Sequence, residues 1–134
     1  ASLLGFCLSA PAQEFPARPI KLLVGFAAGG PLDVFTRVLA QELSAVIGQS
    51  VVVENRTGAS GPLATDAVAK SEPDGYTLLI ASPSSISVNP ALNPKLNYTP
   101  KDLVPITKVT TSPLVIAVNP SIGINSVSDC MFAE

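Results

Sequence analysis

The sequence predicts an α/β fold in which parallel strands alternate with helices. Short apolar runs typical of buried strands lie at residues 21–26, 51–53 and 76–81. Patterns typical of helices separate them, at residues 32–46 and from Pro62 onward. Because the order is strand, helix, strand, helix, strand, we expect parallel pairing through right-handed crossovers. The carboxyl ends of the three strands would then share one edge of the sheet, where ligands bind in such folds.

The first helix is indicated by apolar residues that recur at steps of three and four. Polar residues such as Arg37 and Gln41 stand between them, and Gly48 fits the end of the helix. The apolar face is expected to comprise Leu32, Phe35, Leu39, Leu43 and Val46.

The second helix is expected to begin at Pro62, because proline suits the first helical position. Leu63, Ala67 and Val68 are its expected core contacts. Residues 72–75 form a turn by composition and lead into the third strand.

Beyond residue 82 the chain is rich in proline. Thr99 is the expected cap of a one-turn helix at residues 99–102. Two further strands are predicted at residues 104–109 and 114–118, and another helix near Ser126.

Composition restricts the classes of function. Of the 134 residues, 47% are apolar and 13% are charged, the latter about half the usual share. A net charge of −2 without a basic cluster argues against nucleic acid as a partner. The sequence contains no histidine, the commonest general base and metal ligand. Its absence removes these roles from any mechanism carried by this chain alone.

The first twelve residues resemble the second half of a secretory signal. An apolar stretch at residues 3–8 is followed by Ala10 and Ala12, which frame a small-x-small cleavage site. The stretch is too short to span a bilayer. We expect export, a mature protein that starts near Gln13, and a chain that is clipped at its start. A disordered apolar tail is the alternative interpretation.

Residues 25–33, G-F-A-A-G-G-P-L-D, carry the clearest functional signal. A glycine turn from a strand into a helix leaves N–H groups unpaired, with the positive end of the helix dipole behind them. Gly29 and Gly30 let a ligand approach the main chain, and Asp33 falls in the first helical turn, where a carboxylate is favoured. These residues predict an anion site. A tight turn that binds nothing is the alternative.

Six motifs follow one another along the chain. They are P-x-R-P-I-K at residues 16–21, F-A-A-G-G-P-x-D at 26–33, V-V-V-E-N-R at 51–56, D-A-V-A-K at 66–70, P-D-G-Y-T-L-L at 73–79 and N-P at 89–90. With these motifs the chain resembles, from about Pro16 to Val127, the solute-binding proteins of tripartite tricarboxylate transporters, the Bug or TctC-like family.

This resemblance implies a periplasmic-binding-protein-like α/β fold of type II, with two lobes. It implies that residues 13–105 form the N-terminal part of the first lobe, a parallel sheet flanked by helices. Residues 106–134 are expected to hold the crossover and the start of a truncated second lobe, most of which is missing.

The resemblance also implies a function and a site. The protein would capture small organic di- and tricarboxylates in the periplasm, for uptake by the integral membrane subunits of the transporter. It would be a binding protein, not an enzyme, and would use no cofactor. In the family, main-chain N–H groups and hydroxyls around the glycine turn hold the ligand. The implied ligand-binding residues are Phe26, Ala27, Ala28, Gly29, Gly30 and Asp33, with Ser82, Ser84 and Ser85 by position. Asn55 and Arg56 also match, as further contacts or as residues that brace the site.

Two other interpretations stay open. Half of a dinucleotide-binding enzyme would explain Glu54 at the end of the second strand, but residues 25–27 lack the second glycine of G-x-G. An inactive truncated fragment is the other. Serine hydrolysis has less support, because no histidine is available as the base. For Arg56, pairing with Glu54 or Asp66 is favoured over direct binding of a carboxylate.

Overall fold

The computed structural model describes residues 14–58, 61–113, 115–123 and 126–132. Strands β1 (Ile20–Val24), β2 (Val51–Asn55) and β3 (Thr77–Ile80) alternate with helices α1 (Pro31–Ile47) and α2 (Pro62–Ala69). All pairing is parallel, and the strand order is β2–β1–β3. The predicted α/β alternation is confirmed. The predicted signal at residues 1–12 lies outside the described residues.

The central strand β1 organises the core. Its residue Leu22 pairs with Val53 on one side and with Leu78 on the other. Leu22 and Val24 cluster with Ala40 of α1, and α2 contacts β1 and β3. The chain runs from β1 out to β2 and then back across β1 to β3. Right-handed crossovers in this order place α1 and α2 on opposite faces of the sheet.

Helix α1 ends where the sequence predicts. Gly48 is left-handed, with φ of 68°, and its N–H donates to the carbonyl oxygen of Ser44 at 3.1 Å. The expected apolar face is wrong at Val46, whose exposed fraction is 82%. Leu32 and Leu39 of the expected face do pack against the core. The fully buried positions of the helix are Asp33, Thr36 and Ala40, whose short side chains let the helix approach the sheet closely.

Helix α2 begins at Pro62, as expected. The prediction that Leu63 contacts the core is wrong, because its side chain is exposed. Ala64 and Thr65 are buried in its place. The reason is geometric, since small residues fill the side of the helix that lies nearest to the sheet.

Two short helical segments follow β3. A π-helical turn at Ser84–Val88 leads into α3 (Asn89–Leu92), and the sequence patterns did not predict either element. The predicted one-turn helix is present at Pro100–Asp102. Thr99 is its N-cap residue, as expected, and forms a capping box with Asp102, in which the N–H of Thr99 donates to Asp102 Oδ2 at 2.6 Å.

The strands predicted at residues 104–109 and 114–118 are wrong. No strand occurs among residues 103–113 and 115–119, and Leu114 lies outside the described residues. β-Branched residues favour extended backbone, but a strand exists only where a neighbouring strand accepts its hydrogen bonds. The structure supplies no such neighbour from the described residues, and Val104, Ile106 and Ile116 are largely exposed.

The chain divides after Val104 into two compact units. The first contains the sheet with its helices. The second begins at Pro105 and contains helix α4 (Val127–Phe132), which confirms the helix predicted near Ser126. Among the described residues, no helix has the length and apolar content needed to cross a bilayer.

Candidate anion-binding site

Three connections converge at the carboxyl edge of the sheet. A Cβ on Gly25, after β1, would lie 2.5 Å from the Cα of Gly61, just before α2. A Cβ on Gly61 would lie 3.1 Å from the Cβ of Ser85, after β3. Gly61 also has a φ of 112°, which L side chains rarely adopt. Glycine at both positions therefore allows these loops to touch, between the ends of β1 and β3 where the strand order reverses.

The turn after β1 is closed by two of its own amides. The N–H of Gly30 donates to the carbonyl oxygen of Ala27 at 3.2 Å, and the N–H of Gly29 donates to Asp33 Oδ2 at 2.8 Å. Within the described part of the chain, the N–H groups of Phe26, Ala27 and Ala28 have no hydrogen-bond partner. Ala27 and Ala28 are exposed. These amides, ahead of the α1 N-terminus, are the donors left for an anion.

Asp33 lies beneath this turn with an exposed fraction of 2%. Its Oδ2 accepts from Gly29 and from Arg37 Nε at 2.9 Å, and its Oδ1 accepts from Asn55 Nδ2 at 2.8 Å. Hydrogen bonds from Arg37, from the Gly29 N–H and from Asn55 lower the pKa of Asp33 to about 2. The carboxylate therefore stays ionised at neutral pH, with protein donors on both oxygens.

Asn55, at the end of β2, completes this arrangement. Its Nδ2 also donates to the carbonyl oxygen of Phe26 at 3.1 Å, and its Oδ1 accepts from Arg37 Nη2 at 3.0 Å. The neighbouring Arg56 donates from Nε to Glu54 Oε1 at 2.7 Å, and both side chains are partly exposed. The structure thus contains the favoured Glu54 pairing.

The serines after β3 bond mainly to one another. Ser82 Oγ lies 2.7 Å from Ser84 Oγ, while the N–H of Ser82 donates to Ser85 Oγ at 3.1 Å. Ser85 is buried, and its carbonyl oxygen accepts from the Tyr98 hydroxyl at 2.7 Å. Burial raises the pKa of Tyr98. Ser82 and Ser84 are half-buried, so their hydroxyls are the more accessible ones.

Sequence reasoning missed three residues that shape this edge, namely Arg37, Gly61 and Tyr98. The spacing of four between Asp33 and Arg37 was a usable signal for an ion pair on one helix. Gly61 stands directly before Pro62, the predicted helix start, and a glycine at that position can adopt the positive φ that is found there. Tyr98 reaches Ser85 across thirteen positions of sequence, and no local pattern indicates that contact.

Other features of the described residues offer no competing site. No group of three His, Cys, Asp or Glu residues suited to a metal ion is found among them. A cleft of about 640 Å³ lies between the end of α1 and the start of β2, and its lining residues are Ser44 and residues 48–52. A second cleft of about 220 Å³ lies between Pro90 and Pro100. Neither contains the amides of the glycine turn, which lie on an open edge instead.

Comparison with known proteins identifies the family. A sequence profile described as the tripartite tricarboxylate transporter family receptor matches residues 35–133. Protein BugT of Bordetella pertussis is 45% identical over 132 residues, covering 97% of this chain and 40% of that protein. The chain thus spans two fifths or less of the length of the curated relatives that it matches.

Solved structures agree with this match. A structure described as a periplasmic transporter is 46% identical, covers 64% of this chain and 29% of that one, and gives a TM-score of 0.62. MatC (Rpa3494) from Rhodopseudomonas palustris with bound malate is 41% identical, with the same shares covered and a TM-score of 0.61. R. palustris Rpa4515 with adipate is 44% identical, covering 53% and 24%, with a TM-score of 0.52.

The profile covers most of the chain, and the parallel sheet flanked by helices is the part of a periplasmic-binding-protein fold that these structures share with it. Such proteins bind solutes and are receptors rather than enzymes. This chain therefore belongs to the tripartite tricarboxylate transporter receptor family.

Proposed function

We propose that this chain supplies part of a receptor site for small organic di- or tricarboxylates. The observation that carries the proposal is the glycine turn, where Ala27 and Ala28 are exposed residues whose N–H groups lack partners among the described residues. The hydroxyls of Ser82 and Ser84 follow the neighbouring strand β3, at the same edge. Neutral donors in this arrangement suit a carboxylate, whose oxygens only accept hydrogen bonds.

Two relatives support this ligand class. MatC is described with bound malate and Rpa4515 with adipate, and both have carboxylates at two ends of a short carbon chain. A charge-assisted hydrogen bond supplies roughly 1.5–3 kcal/mol, and the cost of association must be subtracted. Two or three such bonds from this turn correspond to a dissociation constant of roughly millimolar order for the chain alone.

The rest of the receptor's action is part of the same proposal. Residues 13–105 form the N-terminal part of the first lobe, and residues 106–134 lead into the second. The receptor works in the periplasm, reached through the export signal at residues 1–12, and passes its ligand to the membrane subunits of a tripartite transporter. Support comes from the family match and from the periplasmic relative.

A titration followed by two-dimensional ¹H–¹⁵N NMR of the 134-residue chain tests the site, because weak binding still shifts amide signals. Malate is expected to shift the amides of Phe26, Ala27 and Ala28 with one saturating curve. The uncharged diamide of malic acid is the matched control and is expected to leave them in place. Shifts caused by NAD but not by malate would favour the dinucleotide-binding alternative and overturn the proposal, as would no shift with any carboxylate.

A variant pair tests the serine loop in the same experiment. Ser84→Ala is expected to weaken malate binding several-fold, because it removes a hydroxyl donor from the site. Ser71→Ala is the matched control, since that hydroxyl bonds the carbonyl oxygen of Val68 at the end of α2. Equal affinities for the two variants would remove Ser84 from the site.

A further inference from the structure

Three side chains support the glycine turn, residues 26–29, through hydrogen bonds. Asp33 and Arg37 lie one turn apart on α1, and Asn55 ends β2. Asp33 accepts from the Gly29 N–H at 2.8 Å, and Asn55 donates to the Phe26 carbonyl oxygen at 3.1 Å. The triad therefore binds the first and the fourth residue of the turn.

The residues between those two anchors are Ala27 and Ala28. Their side chains are methyl groups, so no side chain of their own fixes the direction of their N–H groups. The bond from Asn55 to the Phe26 carbonyl oxygen fixes the peptide plane that carries the Ala27 N–H. The next plane, which carries the Ala28 N–H, is held by the bond from the Gly30 N–H to the Ala27 carbonyl oxygen, and the bond between Gly29 and Asp33 holds the end of this segment. Gly29 itself requires a left-handed φ of 80°, and its bond to Asp33 stabilises that conformation.

The charges within the triad are balanced. An unpaired carboxylate directly behind an anion site would repel the ligand. Arg37 Nε forms an ion pair with Asp33 Oδ2 at 2.9 Å, and Arg37 Nη2 donates to Asn55 Oδ1 at 3.0 Å. One guanidinium group therefore bonds to both other members of the triad. The carboxylate of Asp33 accepts hydrogen bonds from Gly29, Arg37 and Asn55, and the side chain is 2% exposed, which leaves little surface for a ligand.

We propose that Asp33, Arg37 and Asn55 are positioning residues, which act by holding the Phe26–Gly29 turn so that the Ala27 and Ala28 amides face a carboxylate. This inference rests on the proposed function, and it changes the role expected for Asp33 from a ligand contact to a support. It also assigns Arg37 to the site as part of that support.

Two variants test the triad. Asn55→Asp keeps the size of the side chain but replaces the donor that faces Phe26 and Asp33 with a second carboxylate. Arg37→Lys keeps the positive charge but loses the guanidinium group, whose Nε and Nη2 donate to Asp33 and Asn55 at the same time. Arg18→Lys is the matched control, because Arg18 pairs with Asp74 before β1, at the opposite end of that strand.

The first readout is amide hydrogen exchange, which needs no ligand. In both variants the Gly29 amide is expected to exchange at least about tenfold faster, while Leu23 in the centre of β1 is unchanged. The second readout is malate affinity, which is expected to fall at least about tenfold for Asn55→Asp and less for Arg37→Lys. The control is expected to match the unmodified chain in both measurements.

The two readouts separate the possible failures. If the unmodified chain binds malate and the variants bind equally well with unchanged Gly29 exchange, the positioning role is overturned while the carboxylate site stands. If the unmodified chain does not bind any carboxylate, the proposed function fails and this inference fails with it. Should Asn55→Asp not fold, Arg37→Lys decides alone by the same criteria.

Discussion

Glycine at position 25 is explained by a steric contact rather than by backbone conformation. A Cβ there would lie 2.5 Å from the Cα of Gly61, and neither backbone can move without moving a strand end or a helix start. Gly48 is a different case, because a Cβ would meet nothing within 4 Å and only its φ of 68° is unfavourable for other residues.

These two glycines provide a matched pair for stability. We expect Gly48→Ala to cost about 1 kcal/mol of unfolding free energy, because the left-handed conformation is strained for alanine. Gly25→Ala is expected to cost about 3 kcal/mol, because overpacking forces the loops apart. Urea denaturation followed by circular dichroism measures both. Equal costs would contradict the steric explanation.

Asp33 predicts a pH dependence whose sign follows from its low pKa. The folded chain lowers this pKa from 3.8 to about 2, so folding favours the ionised form. The stabilisation is fully present above about pH 4 and is lost as the pH falls toward 2. Urea midpoints between pH 2 and 6 are expected to fall more steeply for the unmodified chain than for Asp33→Asn. Parallel curves would show that the carboxylate contributes no such stabilisation.

At the scale of elements, prediction succeeded where local chemistry and tertiary contacts agree. Pro31, Gly48 and Pro62 mark helix ends by their backbone preferences, and the structure follows them. The apolar periodicity of α1 located the helix but misplaced Val46, and it did not indicate that Asp33 and Thr36, both polar, are buried beside Ala40. Periodicity alone does not distinguish a buried Asp33 with three donors from a solvated one.

The residues at 104–118 show the opposite case. Their β-branched composition predicts strands, yet backbone pairing depends on a partner distant in sequence, which composition does not encode. The same dependence on partners distant in sequence limited what could be predicted of the candidate site. The glycine turn was identifiable from its motif, and the family resemblance pointed to Asn55 as a residue that contacts the ligand or braces the site. The bond that Tyr98 makes across the fold to Ser85 was not identifiable.

The close packing of α1 against the sheet leads us to expect that a larger side chain at its buried positions lowers the unfolding free energy. Ala40 is buried against Leu22 and Val24, so Ala40→Leu is expected to cost about 1–3 kcal/mol through overpacking. Ala45→Leu is the control, because Ala45 is exposed on the same helix and is expected to change the unfolding free energy little. Thermal and urea unfolding both report the difference. A control that destabilised equally would point to helix propensity instead.

At the scale of the whole molecule, the two units differ in how their backbone is bonded. The first contains a sheet whose strands pair on both sides of β1. In the second, among residues 105–113 and 115–118, no backbone hydrogen bond is formed with described residues. Local stability is expected to differ accordingly.

Limited proteolysis measures that difference directly. We expect trypsin to cut after Lys108 at least about ten times faster than after Lys21, which lies in β1 and donates its N–H to the carbonyl oxygen of Tyr76 at 2.8 Å. Mass spectrometry of a time course identifies the order of cleavage. Equal rates would mean that the first unit opens as readily as the second.

Ala27 and Ala28 already carry the side chain that a systematic alanine scan would introduce. Such a scan would pass over the two positions whose main chain faces the proposed ligand, and would report only on the scaffold around them. Replacing the peptide nitrogen of Ala28 with an ester oxygen removes one donor and leaves every side chain intact. Because the proposed donors belong to the main chain, substitutions of surface side chains that leave the course of the backbone unchanged are expected to leave the proposed site intact.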